Sequence, residues 1–153
     1  MQDVIETLVG RRVELTAKYV PVTDERRVIV SVMPHDVLAS KKCKPCEGGM
    51  PSVSRDEAEE LLTNLPGWTL SNDGKRIYRE WVVRDFMAAV EFFNRVAALA
   101  EDEGHHPDLH LIAYRNVTIE LWTHAIGGLS ENDFITAAKI DQLPLDLIAC
   151  QLT

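Results

Sequence analysis

Apolar residues recur along the chain at two spacings, and the switches between them mark the elements. Val4, Ile5, Leu8 and Val9 sit at helical spacing ahead of Gly10 and predict a short helix over 3–9. Val13, Leu15, Ala17 and Tyr19 then alternate with Glu14, Thr16 and Lys18, and Val28 to Met33 is a β-branched run. With polar residues between them, the two runs predict a hairpin over 11–33. Pro34 to Val53 has no period and reads as a linker rich in Lys, Gly and Pro. Ser54-Arg55-Asp56-Glu57 is a capping box, and Ala58, Leu61 and Leu62 supply the apolar face of the helix it opens, which Leu65-Pro66-Gly67 stops. Trp68 to Leu70 and Arg76 to Val83 read as strands joined by a turn at Asn72-Asp73-Gly74.

The longest period-3.6 stretch runs from about Asp85 to Asp102. Phe86, Ala89, Val90, Phe93, Val96, Ala97 and Ala100 form its expected core stripe, and Gly104 ends it. A strand pair follows over 108–124, with Val117, Ile119 and Leu121 on one side and Thr118, Glu120, Trp122 and His124 on the other. Ser130 caps a last helix that Leu143-Pro144 ends. The order helix, two strands, helix, two strands, helix predicts an α+β fold, a four-stranded antiparallel sheet with helices packed on one face. The division expected is an N-terminal extension over 1–40 and one domain over 41–153.

The 153 residues carry a net charge of −8, which argues against direct nucleic-acid binding because that needs a basic face. No apolar run approaches the ~20 residues of a membrane span. The N-terminus has neither a basic nor an apolar leader pattern, and three cysteines fit reduced thiols better than a disulfide framework, so the expected location is the cytoplasm. Cys43-Lys44-Pro45-Cys46 has the spacing of half a zinc site, but no second pair follows it.

The candidate chemistry lies in Glu101-Asp102-Glu103-Gly104-His105-His106-Pro107. A third histidine, His124, follows seventeen residues after that proline. A two-residue turn at Arg115-Asn116 would pair 112 with 119, 110 with 121 and Pro107 with His124. Opposed residues in an antiparallel pair lie roughly 4.5–5.5 Å apart, so the hairpin would bring the double histidine to the third. The cluster begins at a helix C-terminus, where backbone carbonyls favour an imidazolium. Adjacent residues of an extended chain point to opposite sides, so His105 and His106 do not readily share one ion, and no metal is expected. His110 and His35 read as ordinary surface or strand residues.

The run Glu101-x3-His105-His106-Pro107-x6-Tyr114-x9-His124-x8-Asp133, continued by Gly127 to Asp133, resembles the signature of the pterin-4a-carbinolamine dehydratases. The likeness extends more weakly from about Cys43 to Leu143 and leaves 1–40 uncovered. It implies a pterin bearing a hydroxyl at C4a, dehydrated to a quinonoid dihydropterin in the recycling of a tetrahydrobiopterin-type cofactor, with no cofactor of the protein's own. It implies His106 and His124 as the acid–base pair and His105 as an assisting pocket histidine. Glu101 would orient His105 or stand as a solvated helix end, Pro107 would aim the histidines, and Asp133 would help hold the pocket; Trp122, on the face of His124, would stack on the flat pterin or pack at a subunit interface. Asp133 also completes a capping box with Ser130. The resemblance further implies a homodimer or homotetramer. It keeps two other readings open: an assembly or regulatory protein acting through protein contacts, with 1–40 as the surface, and work on a pterin of molybdenum-cofactor metabolism.

Overall fold

A computed structural model describes residues 34–46 and 49–148. The helix expected over 3–9, the hairpin expected over 11–33 and Cys150 lie outside the described residues. In chain order the elements are α1 (His35–Ser40), α2 (Arg55–Leu62), β1 (Thr69–Leu70), β2 (Ile77–Val82), α3 (Phe86–Glu103), β3 (Asp108–Ile112), β4 (Asn116–Leu121), a 3-10 turn over His124–Ile126, and α4 (Glu131–Ile140). The four strands form one sheet in the order β1-β2-β4-β3, every neighbouring pair antiparallel. The expected α+β architecture is what the chain forms.

Side-chain alternation divides the sheet. Ile77 and Trp81 of β2 and Val117, Ile119 and Leu121 of β4 face the helices and are buried. They meet Phe92 and Val96 of α3 and Phe134, Ile135 and Ala138 of α4 in one apolar core. Trp81 packs edge-on against Trp68 at 6.0 Å and Phe92 at 5.4 Å, the offset geometry that aromatic quadrupoles favour. Tyr78, Glu80, Thr118 and Glu120 lie on the opposite, open face.

Three expectations change. The linker stretch after Pro34 holds α1, and Leu38 from it is fully buried in the core. The buried stripe of α3 is Ala88, Ala89, Phe92, Val96 and Ala100, rotated from the expected one, while Phe86 stays 52% exposed. The hairpin turn is not at Arg115-Asn116. The link is Ala113-Tyr114-Arg115, with φ of +48° at Ala113 and +59° at Tyr114, and Ile112 pairs with Asn116 rather than with 119. The slip of three positions is odd, so it reverses the face of every β3 side chain. It turns Leu109 and Leu111 to the helix side and Asp108, His110 and Ile112 to the open side. Pro107 consequently does not oppose His124.

Residues 41–46 are strapped between the end of α3 and the start of α4. Lys41 pairs with Glu131, Lys42 with Asp102 at 2.7 Å, and the Cys43 N–H donates to Glu103 Oε2 at 2.9 Å. Asn132 holds the Lys44 backbone on both sides, accepting from its N–H at 3.0 Å and donating to its carbonyl at 2.8 Å. Burial disfavours the charge of Glu103, but the Cys43 N–H and the Lys139 and Lys42 ammonium groups outweigh it and hold the carboxyl down at about 2. A depressed carboxyl stabilises the fold above its unfolded pKa, here 4.5, and that contribution is lost as pH falls through the folded value near 2. Glu103→Gln is therefore expected to cost about 1.5–3 kcal/mol in urea unfolding at pH 7. The gap between variant and parent should narrow steadily as pH is lowered below 4.5; a gap independent of pH would contradict the charged role.

Candidate active site

Helix α3 ends because Gly104 takes the left-handed conformation, φ +65°, with its N–H bonded to the Ala100 carbonyl. That is a conformation glycine adopts at little cost. The turn sends the next two side chains to different environments. His105 goes inward and is 3% exposed. His106 goes outward to solvent.

Both nitrogens of His105 are engaged. Nε2 is 2.7 Å from Asp133 Oδ1, and Nδ1 is 3.4 Å from Cys46 Sγ. Asp133 is fully buried, and its other oxygen, Oδ2, accepts from the Ser130 N–H at 2.8 Å and the Thr123 hydroxyl at 2.9 Å. A carboxylate that accepts from every side identifies Nε2 of His105 as the donor, which leaves Nδ1 as an acceptor towards the thiol. The partner of His105 is thus Asp133 and not Glu101. Glu101 instead meets His106, with Oε1 2.9 Å from Nε2, both side chains largely in water.

His124 lies just past β4, in the 3-10 turn, and is exposed. Its ring stacks on Trp122, centroids 3.8 Å apart and planes 23° from parallel. Trp122 is in turn held by Asp108, which accepts its indole N–H at 2.9 Å, and by Arg76, whose guanidinium lies 4.7 Å over the ring. Arg76 is tied to Glu120 at 2.8 Å and lies 3.5 Å from Asp108. Trp122 thus carries His124 stacked on its ring and the Arg76 guanidinium beside it.

The predicted residues thus gather at one end of the β3–β4 hairpin. His105 and Asp133 form the buried part, Glu101 and His106 the outer rim, Trp122 and His124 the open-face part, and Pro107 precedes β3. Tyr114 does not join them. It stands 56% exposed at the hairpin's other end, about 20 Å away along a strand rising ~3.3 Å per residue. Sequence reasoning passed over Arg76, Asp108, Thr123, Asn132 and Cys46 as contributors. Only Asn132 and Cys46 lie in stretches whose composition drew notice. Arg76 and Asp108 carry no local signal, because their roles arise from cross-strand pairing.

The model of the family described as pterin 4 alpha carbinolamine dehydratase matches residues 51–143. The Arabidopsis thaliana protein named pterin-4-alpha-carbinolamine dehydratase 2, mitochondrial, is 50% identical over 112 residues, and the match spans 71% of this chain and 60% of that longer protein. A putative pterin-4-alpha-carbinolamine dehydratase of Azoarcus sp. is 48% identical over 109 residues, 71% of this chain and 92% of its own. The crystal structure of a transcriptional coactivator/pterin dehydratase from Brucella melitensis superposes with a TM-score of 0.56 at 32% identity, covering 60% of this chain and 96% of that one. A family model spanning more than half the residues, on a chain whose buried His-Asp pair and open-face histidine stand at the signature positions, places this protein in the pterin-4-alpha-carbinolamine dehydratase family.

Proposed function

We propose that the protein removes water from a 4a-hydroxytetrahydropterin to give the quinonoid dihydropterin, with His106 and His124 as its acid–base pair. The observation that carries the assignment of roles is the unequal state of the three signature histidines. His105 is buried with both nitrogens taken, whereas His106 and His124 open to solvent at the same end of the hairpin. The reaction breaks the C4a–O bond and removes a proton from a ring nitrogen. One group must protonate the departing hydroxyl and another must accept the ring proton. Imidazole, with an ordinary pKa of ~6.5, serves either role near neutral pH. Glu101 orients His106, Trp122 orients His124, and His105 with Asp133 sets the backbone between them. Pro107 fixes the exit of the chain from the double histidine into β3.

The setting we infer is cofactor recycling in a cytoplasm, supported by the free thiols of Cys43 and Cys46. Among the described residues no helix is long and apolar enough to cross a membrane. We also infer self-association, supported by the exposure of Phe86 (52%) and Met87 (59%) on α3 and of Ile112 (65%) on edge strand β3. A regulatory reading through protein contacts is favoured by one observation, the double description of the Brucella structure as coactivator and dehydratase.

Steady-state dehydration of a synthetic 4a-hydroxytetrahydropterin separates the readings. His106→Ala and His124→Ala, each still folded, are expected to lose about 10²–10⁴-fold in kcat/KM. No acceleration by the parent protein would sink the enzymatic reading and leave the regulatory one. Asp133→Ala deletes the acceptor of three buried hydrogen bonds and should cost about 3–5 kcal/mol in urea unfolding. Glu101→Gln alters a pair in water and should stay within about 0.5 kcal/mol of the parent in the same measurement.

A further inference from the structure

We propose that Cys46 is a peroxide-reactive thiol, activated by His105 and Asp133. The two thiols of the Cys43/Cys46 stretch sit in opposite environments. Cys43 is partly buried, with Sγ 3.5 Å from Thr136 Oγ1 and 3.8 Å from the Asn132 carbonyl oxygen. Burial, only partly offset by the Thr136 hydroxyl, pushes that thiol up to about 11. A thiol so placed stays protonated and inert near neutral pH. Cys46 is half-buried and meets two nitrogens instead: His105 Nδ1 at 3.4 Å and the side-chain amide of Asn132, which donates to Sγ at 3.4 Å.

Sulfur, imidazole and carboxylate follow one another in the order nucleophile, base, orienting acid. Asp133 accepts the Nε2 proton of His105 and so presents the Nδ1 lone pair to the thiol. Transfer of the thiol proton to Nδ1 leaves a thiolate that still faces two donors, the imidazolium N–H and the Asn132 amide. The imidazolium in turn stays paired with a buried carboxylate at 2.7 Å, so neither new charge is stranded. Asn132 also fixes the backbone at Lys44, which holds the sulfur in register with the ring.

The substrate class that fits is a small hydroperoxide. The thiolate sulfur attacks one peroxide oxygen, the S–O bond forms as the O–O bond breaks, and sulfur is oxidised by two electrons. The leaving hydroxide takes the Nδ1 proton from His105 and departs as water, leaving Cys46 as sulfenic acid. With hydrogen peroxide the sum is thiol plus peroxide giving sulfenic acid plus water. The step uses neither His106 nor His124, and it shares His105 and Asp133 with the dehydration site.

The test is hydrogen peroxide at pH 7 with dimedone as the sulfenic-acid trap, the adducts located by peptide mass mapping of the full chain. We expect adduct at Cys46 to form at least ~10-fold faster in the folded protein than in the urea-unfolded chain, as activation of a thiol by an adjacent imidazole implies, with Cys43 unlabelled in the folded state. A folded His105→Asn variant should lower the Cys46 rate to that of the unfolded chain. Equal rates in folded and unfolded parent protein, or a fast rate kept in the folded variant, would overturn the proposal. Should the variant not fold, the comparison within the parent protein decides alone.

Discussion

The buried carboxylate of Asp133 is the group on which the rest of the site depends. Its two oxygens bind three parts of the chain that are remote in sequence: His105 just after α3, Thr123 just after β4, and the Ser130 N–H at the start of α4. A fully buried charge is costly unless each lone pair finds a donor. Here the donors come from an imidazole, a hydroxyl and a backbone N–H. The fold cannot satisfy Asp133 without bringing the end of α3, the end of β4 and the start of α4 together, and the signature histidines project from the first two of these places.

A second layer depends on the strap at 41–46. It is held by ion pairs to both helices and by Asn132, and it supplies the Cys46 thiol that closes over His105. Glu103 and Lys139 join the two helices beneath it. Surface ion pairs contribute little individually, but Glu103 is buried and bonded to the backbone of the strap, so its charge is coupled to the strap's position.

Much of this was legible in the residues, and the failures have identifiable causes. Alternation in β4 told which side faces the helices, because Val117, Ile119 and Leu121 differ so plainly from Thr118 and Glu120. The capping signals at Ser54 and Ser130 and the stop at Gly104 are local chemistry and read correctly. The hairpin register failed because the link places Ala113 and Tyr114 at positive φ, a conformation that composition does not announce at residues other than Gly or Asn. Arg115-Asn116 looked like the better turn. The α3 stripe failed for a different reason. Phe86, Val90 and Phe93 repeat at helical spacing as well as Ala88, Ala89, Phe92 and Val96 do, so period alone cannot choose between two apolar sides of one helix. The contacts of Arg76, Asp108 and Cys46 were out of reach because each depends on a partner tens of residues away.

Asp133 is expected from sequence both as a helix cap and as a pocket residue, and the geometry joins the two positions in one carboxylate. Oδ2 accepts the N-terminal N–H of Ser130 while Oδ1 orients His105. A carboxylate at the start of a helix is favoured by the helix dipole. The same carboxylate holds Nε2 of His105. The helix start therefore does more than terminate α4. It captures the buried histidine, turns the ring's other nitrogen towards Cys46, and leaves His106 and His124 exposed outside that buried network. The separation of one buried histidine from two exposed ones follows from one glycine that turns the chain after α3 and one carboxylate that captures the first imidazole beyond it.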